Sequence, residues 1–441
     1  MTADLDKLRE LARILDEDRA APAPLYVPSL ATVVAEVVQE ITTDPTAFKK
    51  HLLFGARGGG KSTQLHEINR RLNKLTRLDI DLDAMGVGVA GITAFDLLYI
   101  LGVAGLARLP KEQAREREDL YTRLHGAYSG SGGTTTRQKA EEAIDGLAGF
   151  AGAMTGVAAA IGATIVPVGA VAVGLTAAGK GLRLRSQSAG VVAAASQQGR
   201  ELQEAARAIF RAIRAIAPPI VVLIDGLEKV NGQAAQWFRD TFENTRLLLD
   251  AEVTMVVASP PCPFSHTNSA NRFGYVTHVL YGYGVAFRTE LTEILRRRVE
   301  GANLDPDAGL LRVACERFAV ESGGHPRYAV SLLKRAVQRA VNDNRGELRV
   351  DDLDEAVKEL RRFLALGLTE PSYKILGRVS RIAELPDNDM AAQLFADGRI
   401  LADPPDETGA PTFKVHPLIE PALVRYQKRV QALEAEDAEG E

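Results

Sequence analysis

Hydrophobic positions follow two rhythms along this chain. Residues 51–54 (HLLF), 220–225 (IVVLID) and 253–258 (VTMVVA) are short apolar runs, while 77–82 (RLDIDL) alternates polar and apolar. Continuous runs of this length read as strands buried on both faces, which belong to parallel sheets covered by helices. Residues 275–280 predict a last strand of the same sheet. Elsewhere apolar residues return every three or four positions, the helical rhythm. It predicts helices over about 3–19 (Leu5, Leu8, Leu11 and Leu15 on one face), 29–42, 63–72, 94–109, 111–124, 189–216 and 237–249. From Arg288 onward the pattern is helical throughout, over about 288–300, 305–321, 325–344 and 351–365. Pro22, Pro24 and the pair Pro218 and Pro219 interrupt it where they stand. Late in the chain, 398–402 and 411–415 flank a Pro/Asp/Gly turn. Short helices plus such a hairpin predict a winged-helix-like module.

Composition changes this picture little. The chain has 441 residues, 46% hydrophobic and 25% charged, as expected of a folded protein of two or three domains. Its net charge of −4 offers no global basic field for nucleic acid. Cys262 and Cys315 are far apart and match no metal-binding spacing, which points to a reducing compartment. The first residues are charged and lack the apolar core of a secretion signal. The expected localisation is cytoplasmic, with membrane association open.

Chemistry enters between the first predicted strand and the helix after it. Residues 55–62 read GARGGGKS, which fits G-x-x-x-x-G-K-[ST] at every fixed position. Gly55, Gly58, Gly59 and Gly60 let backbone N–H groups converge on one anion, and the helix start beyond them adds a positive end. Arg57 and Thr63 flank this cradle. Lys61 is placed to reach the β- and γ-phosphates, and the Ser62 hydroxyl to ligate Mg²⁺. The run 220–225 ends in Asp225, a carboxylate suited to hold Mg²⁺, and Glu228 is the candidate to polarise an attacking water. Ser259 ends the 253–258 strand and is a candidate γ-phosphate sensor, with an ordinary turn serine as the alternative. In SGGHPR (322–327), proline in the first helical turn puts Arg327 at a helix start, from which it could lean over a nucleotide. Arg296, Arg297 and Arg298 read better as a solvated face than as an arginine finger.

One interval breaks the pattern. After the Gly/Ser/Thr-rich stretch 128–136, residues 147–179 contain no charged side chain. About 20 apolar residues suffice to cross a bilayer. Three readings stand: a membrane-contacting or oligomerising element, a soluble Ala/Gly-rich helical hairpin, or a disordered insert.

Phosphate loop, Asp-Gly-Leu-Glu (225–228), Gly-Gly-His-Pro-Arg (323–327) and a terminal winged helix together resemble the AAA+ and STAND branches of the P-loop ATPases. The separation of Asp225 from Glu228 resembles the STAND form of the Walker B strand, and VHPLI (415–419) the histidine motif of its winged helix. By that resemblance His416 would contact the β-phosphate and hold a closed, ADP-bound state. Proline follows His416 where the family commonly has aspartate. The position of the apolar insert is similar to that of membrane helices in the KAP group.

The fold expected is α/β: a P-loop parallel sheet with helices on both faces, then a helical lid and a winged-helix-like module. The divisions are 1–24, an N-terminal helix; 25–286, the ATPase domain with an insert over about 129–188; 287–368, the lid; 369–433, the winged-helix-like module; and 434–441, an acidic disordered tail. The resemblance implies an ATP·Mg²⁺-dependent conformational switch that hydrolyses ATP slowly, binds ATP and ADP, and self-associates. Alternatives are a DNA-associated AAA+ ATPase and a non-hydrolysing nucleotide-gated scaffold. Asp403, Asp406 and Glu407 near the hairpin disfavour the DNA reading.

Overall fold

The computed structural model describes residues 2–15, 23–27, 33–82, 92–129, 197–217, 219–227, 237–243, 246–259, 274–280, 288–403 and 411–439. Five parallel strands form one sheet: β1 (Lys50–Phe54), β2 (Thr76–Asp81), β3 (Ile220–Asp225), β4 (Thr254–Ala258) and β5 (Val276–Val279). Their order across the sheet is β2-β3-β4-β1-β5. The phosphate-loop strand β1 is therefore separated from the Asp225 strand β3 by β4. This arrangement places the carboxyl ends of β1, β4 and β3 side by side, where ligands of open α/β sheets bind.

Both sheet faces are covered, which is why β1, β3 and β4 are apolar without alternation. On one face pack α4 (Ala94–Leu106), α5 (Ala114–Ser129) and α6 (Gln197–Ile216). On the other pack α2 (Val33–Thr43) and α3 (Lys61–Arg71), over Leu53, Val221, Leu223 and Val256. Helix α4 is buried along its whole length between the sheet, α5 and α6. Its start is fixed by a capping box, with the Thr93 hydroxyl accepting from the Asp96 N–H while the Asp96 carboxylate accepts from the Thr93 N–H.

The remaining helices are α7 (Arg288–Gly301), α8 (Gly309–Glu321), α9 (Pro326–Asn342), α10 (Val350–Ala365), α11 (Glu370–Ile382), α12 (Asp389–Ala396) and α13 (Glu420–Glu439), with α1 (Thr2–Ile14) at the other end of the chain. An antiparallel pair, β6 (Ile400–Asp403) and β7 (Thr412–Val415), forms the hairpin. The lid helices and the winged-helix module share apolar contacts. Phe318 and Leu333 of the lid, Phe395, Ile400, Val415 and Ile419 of the winged helix, and Leu8 and Leu11 of α1 all belong to one core. Ala56 of the phosphate loop belongs to it too.

Three expectations are corrected. The helix predicted over 237–249 is cut short: Arg239–Glu243 is a wide π-type turn, and 247–250 are turns. Phe238 and Phe242 pack together at 5.0 Å between ring centres and reach Phe54 and Tyr275, so tertiary aromatic packing overrides the helical rhythm. The Gly/Ser/Thr-rich stretch from residue 128, expected as a flexible linker, begins inside α5: Tyr128 stacks on Tyr99 at 4.1 Å and donates to Asp96, and the stretch beyond Ser129 lies outside the described residues. Of the three arginines expected on a solvated face, Arg298 is buried, its guanidinium bonded to the Ile294 carbonyl. Arg296 is paired with Asp307, and Arg297 with Glu293.

The apolar interval 147–179, Cys262, Glu228 and the turn 404–410 with Asp406 and Glu407 lie outside the described residues. Among the described residues, no helix is long and apolar enough to cross a membrane.

Candidate nucleotide site

The loop between β1 and α3 is held by glycine geometry. Gly58 and Gly60 have φ of 75° and 94°, the left-handed region that side-chain-bearing residues avoid. Gly60 is the N-cap of α3, so the backbone turns directly from the loop into the helix. Gly55 lies against β5: a Cβ there would stand 2.8 Å from the Leu280 carbonyl oxygen. At Gly59 it would stand 3.1 Å from the Ala56 oxygen. The loop is drawn in on itself, with the Gly59 N–H donating to Ala56 at 3.1 Å.

Lys61 is 3% exposed. Its ammonium donates to the Gly55 and Ala56 carbonyls at 2.8 and 3.0 Å. A buried ammonium needs such acceptors, and anionic oxygens are better ones than amide carbonyls. One helical position on, the Ser62 hydroxyl donates to Asp225 Oδ1 at 3.0 Å, and the same oxygen accepts the Gly226 N–H at 2.9 Å. Gly226 has φ of 90°, so the chain can turn away immediately after the carboxylate. Ser62 and Asp225 are thus brought together from distant stretches of sequence. A hydroxyl and a carboxylate supply two hard oxygens, a donor set that fits Mg²⁺ completed by phosphates and water. Thr63 sits in the first turn of α3. Ser259 is fully buried at the end of β4, its N–H bonded to the Leu53 carbonyl.

The lid closes over this loop. Arg327, in the first turn of α9, lies on Gly58: a Cβ on that glycine would be 2.6 Å from the arginine Cβ and 2.7 Å from its Nε. The winged helix touches the loop as well. The Arg57 N–H donates to the Ala396 carbonyl at 2.9 Å, and the Arg57 guanidinium lies 3.8 Å from Asp397 Oδ1. On the other side, Tyr26 bonds to Gln64 of α3 at 3.1 Å.

His416 is fully buried and both ring nitrogens are spent on backbone. Nε2 donates to the Ser322 carbonyl at 2.9 Å, and Nδ1 accepts the Leu418 N–H at 3.1 Å. The imidazole therefore braces the hairpin exit against the lid turn, and neither nitrogen is free for a phosphate in this arrangement. Burial holds its pKa down to about 4 from an ordinary 6.5. The native state resists protonation more than the unfolded chain does. Its stabilising contribution is therefore complete above pH 6.5 and is lost as the pH falls towards 4. His416→Gln is expected to remove on the order of 3 kcal/mol of acid sensitivity from that window. Thermal melts of both proteins between pH 7 and 4 check this; parallel declines would contradict it.

Sequence reasoning missed His325, Ala396 and Asp397. His325 stacks on Tyr328 at 4.3 Å and is 1% exposed, beside the Arg57 backbone. Gly398, with φ of 68°, was the one available signal: a Cβ there would stand 2.9 Å from Tyr328 and 3.1 Å from His325.

No protein-family model matches the chain, and none of the curated proteins matches it. Among solved structures it is similar to the ORC2 protein of Aeropyrum pernix in its ADPNP-ADP complexes, at 14% identity over 96% of this chain and 98% of that one, with a TM-score of 0.44. It is also similar to the ORC1 protein of Aeropyrum pernix in complex with DNA, at 13% identity over 91% and 93%, TM-score 0.37. A third is Cdc6p from Pyrobaculum aerophilum, at 11% identity over 95% and 98%, TM-score 0.38. The likeness is loose, and the α/β P-loop fold rests on the strand order, loop, lid and hairpin described above.

Proposed function

We propose that this chain is an ATP-binding and ATP-hydrolysing switch of the STAND kind. The observation that carries the reading is the meeting of Ser62 and Asp225 at 3.0 Å beside the buried ammonium of Lys61. Lys61 would exchange its two loop carbonyls for phosphate oxygens, and Gly58, Gly59 and Gly60 would present N–H groups to the same phosphates. Ser62 and Asp225 would hold Mg²⁺, which when bound neutralises phosphate charge. Arg327 would add a cation from the lid. Glu228, two residues past Gly226, is assigned to orienting water. Catalysis of this type is mostly positioning and charge stabilisation.

The shared core of lid and winged helix refines the switch. A winged helix leaving alone would expose Phe395 and Ile419, so lid and winged helix move as one body. His416 is assigned to bracing that body. Among the described residues of the hairpin, Lys414 is paired with Asp403 at 2.8 Å, which leaves its charge balanced there.

Asp225→Asn tests the reading. It keeps the shape and removes the charge, and turnover of ATP with Mg²⁺ is expected to fall by at least about tenfold, on the scale of one lost charged contact. Turnover equal to the wild type would remove Asp225 from the site.

A further inference from the structure

We propose that Asp81 is a second acid of the metal site, sharing with Asp225 the hold on the cation and its water. The inference deepens the reading of Ser62 and Asp225 as the residues that hold Mg²⁺ and rests on it. The register of the sheet carries it. Strands β2 and β3 run parallel with Asp81 opposite Asp225, so the two carboxylates leave the same face of neighbouring strands, about 4.8 Å apart at the backbone. The ladder runs on past them, with the Leu82 N–H donating to the Asp225 carbonyl at 3.2 Å. Leu78, Ile80 and Leu82 point to the opposite face, into the core under α4, α5 and α6. Val221 and Leu223 point with Asp225 to the face under α3. Asp79 and Asp81 therefore stand under α3 as well.

Helix α3 meets that face with a matching polar row. Ser62, His66 and Asn69 recur at helical spacing along one side of it, next to Leu65 and Ile68, which enter the core. Each polar residue faces an acid on the strands. The Ser62 hydroxyl donates to Asp225 at 3.0 Å, and the Asn69 amide donates to Asp79 at 2.7 Å. Between them, His66 interacts electrostatically with Asp79 and Asp81. Asp79 is thus fastened to the helix at one end of the row. Asp81 lies at the other end with Asp225, where the strands finish beside the phosphate loop. Like charges placed opposite each other on neighbouring strands repel. A divalent cation beside Ser62 offsets both, and Mg²⁺ or Mn²⁺ takes one or two carboxylates directly or through a retained water. Two acids give the site enough charge to take a cation before any nucleotide arrives.

Manganese serves as the probe, since it takes the same oxygen ligands as magnesium and is read directly by electron paramagnetic resonance. The nucleotide-free full chain is expected to bind one Mn²⁺. Asp81→Asn keeps the shape and is expected to weaken that binding at least about tenfold, the scale on which groups around a metal act. Asp79→Asn is the control and is expected to bind as the wild type does. Mn²⁺ is also expected to raise the melting temperature of the wild type, an increment that Asp81→Asn loses even if its own baseline is lower. Equal affinity in the wild type and Asp81→Asn, equal weakening by Asp79→Asn, or no Mn²⁺ bound without nucleotide would each overturn the proposal. Asp225→Asn separates it from the reading beneath it. Binding lost there but unchanged in Asp81→Asn keeps Asp225 in the site and removes Asp81; binding unchanged in Asp225→Asn removes the metal site altogether.

Discussion

Replacing Lys61 with alanine is expected to weaken ATP binding by at least about a hundredfold. The ammonium is buried and donates to carbonyls of its own loop. Anionic phosphate oxygens are better acceptors for an ammonium than those carbonyls. Hydrogen bonds to charged partners contribute roughly 1.5–3 kcal/mol each, and two of them give about 3–6 kcal/mol, or a hundredfold and more in affinity. Alanine is a strong helix former at this first position of α3, so the variant is expected to stay folded. Circular dichroism alongside fluorescent-nucleotide titration separates lost binding from lost structure. A folded variant that binds as tightly as the wild type would move the nucleotide elsewhere.

The second large effect concerns the shared core. Phe395 is 2% exposed and packs edge-on against Phe413 at 6.3 Å. It belongs to one apolar cluster with Phe318 and Leu333 of the lid and Leu8 of the N-terminal helix. Truncation to alanine removes that ring and leaves a cavity, at a cost of about 3–5 kcal/mol. Because the cluster is continuous, hydrogen exchange is expected to speed up together in the lid helices α8 and α9 and in the winged helix. Acceleration confined to residues 389–419 would show that the winged helix melts alone, and the single moving body would have to be abandoned.

The parts of the site that could be read from sequence are those fixed by local geometry. GARGGGKS needs left-handed glycines at set places, and Gly58 and Gly60 adopt those angles. The strand ending in Asp225 is apolar because both its faces are covered, and its acid falls where the sheet ends. Pro326 marks the start of α9, and so the place of Arg327. What escaped depends on contacts between distant stretches. Nothing near Arg57 announces Ala396 or Asp397, and no periodicity says that α8, α12 and α1 share a core. The rhythm over 237–249 was helical, yet Phe238 and Phe242 were drawn to Phe54 and Tyr275 and widened the turn. His416 matched a family pattern by spacing. Its neighbours Ser322 and Leu418 decide what its nitrogens do, and Ser322 is remote in sequence.

The central claim is that Lys61, Ser62 and Asp225 together grip a metal-bound triphosphate. Titration calorimetry of the full chain with ATP, in Mg²⁺ and again in excess chelator, tests it most directly. One site per chain is expected, with affinity at least about tenfold higher when Mg²⁺ is present, since Ser62 and Asp225 would hold the metal and its charge would offset that of the phosphates. The same affinity with and without the metal, or no saturable binding in either, would contradict it.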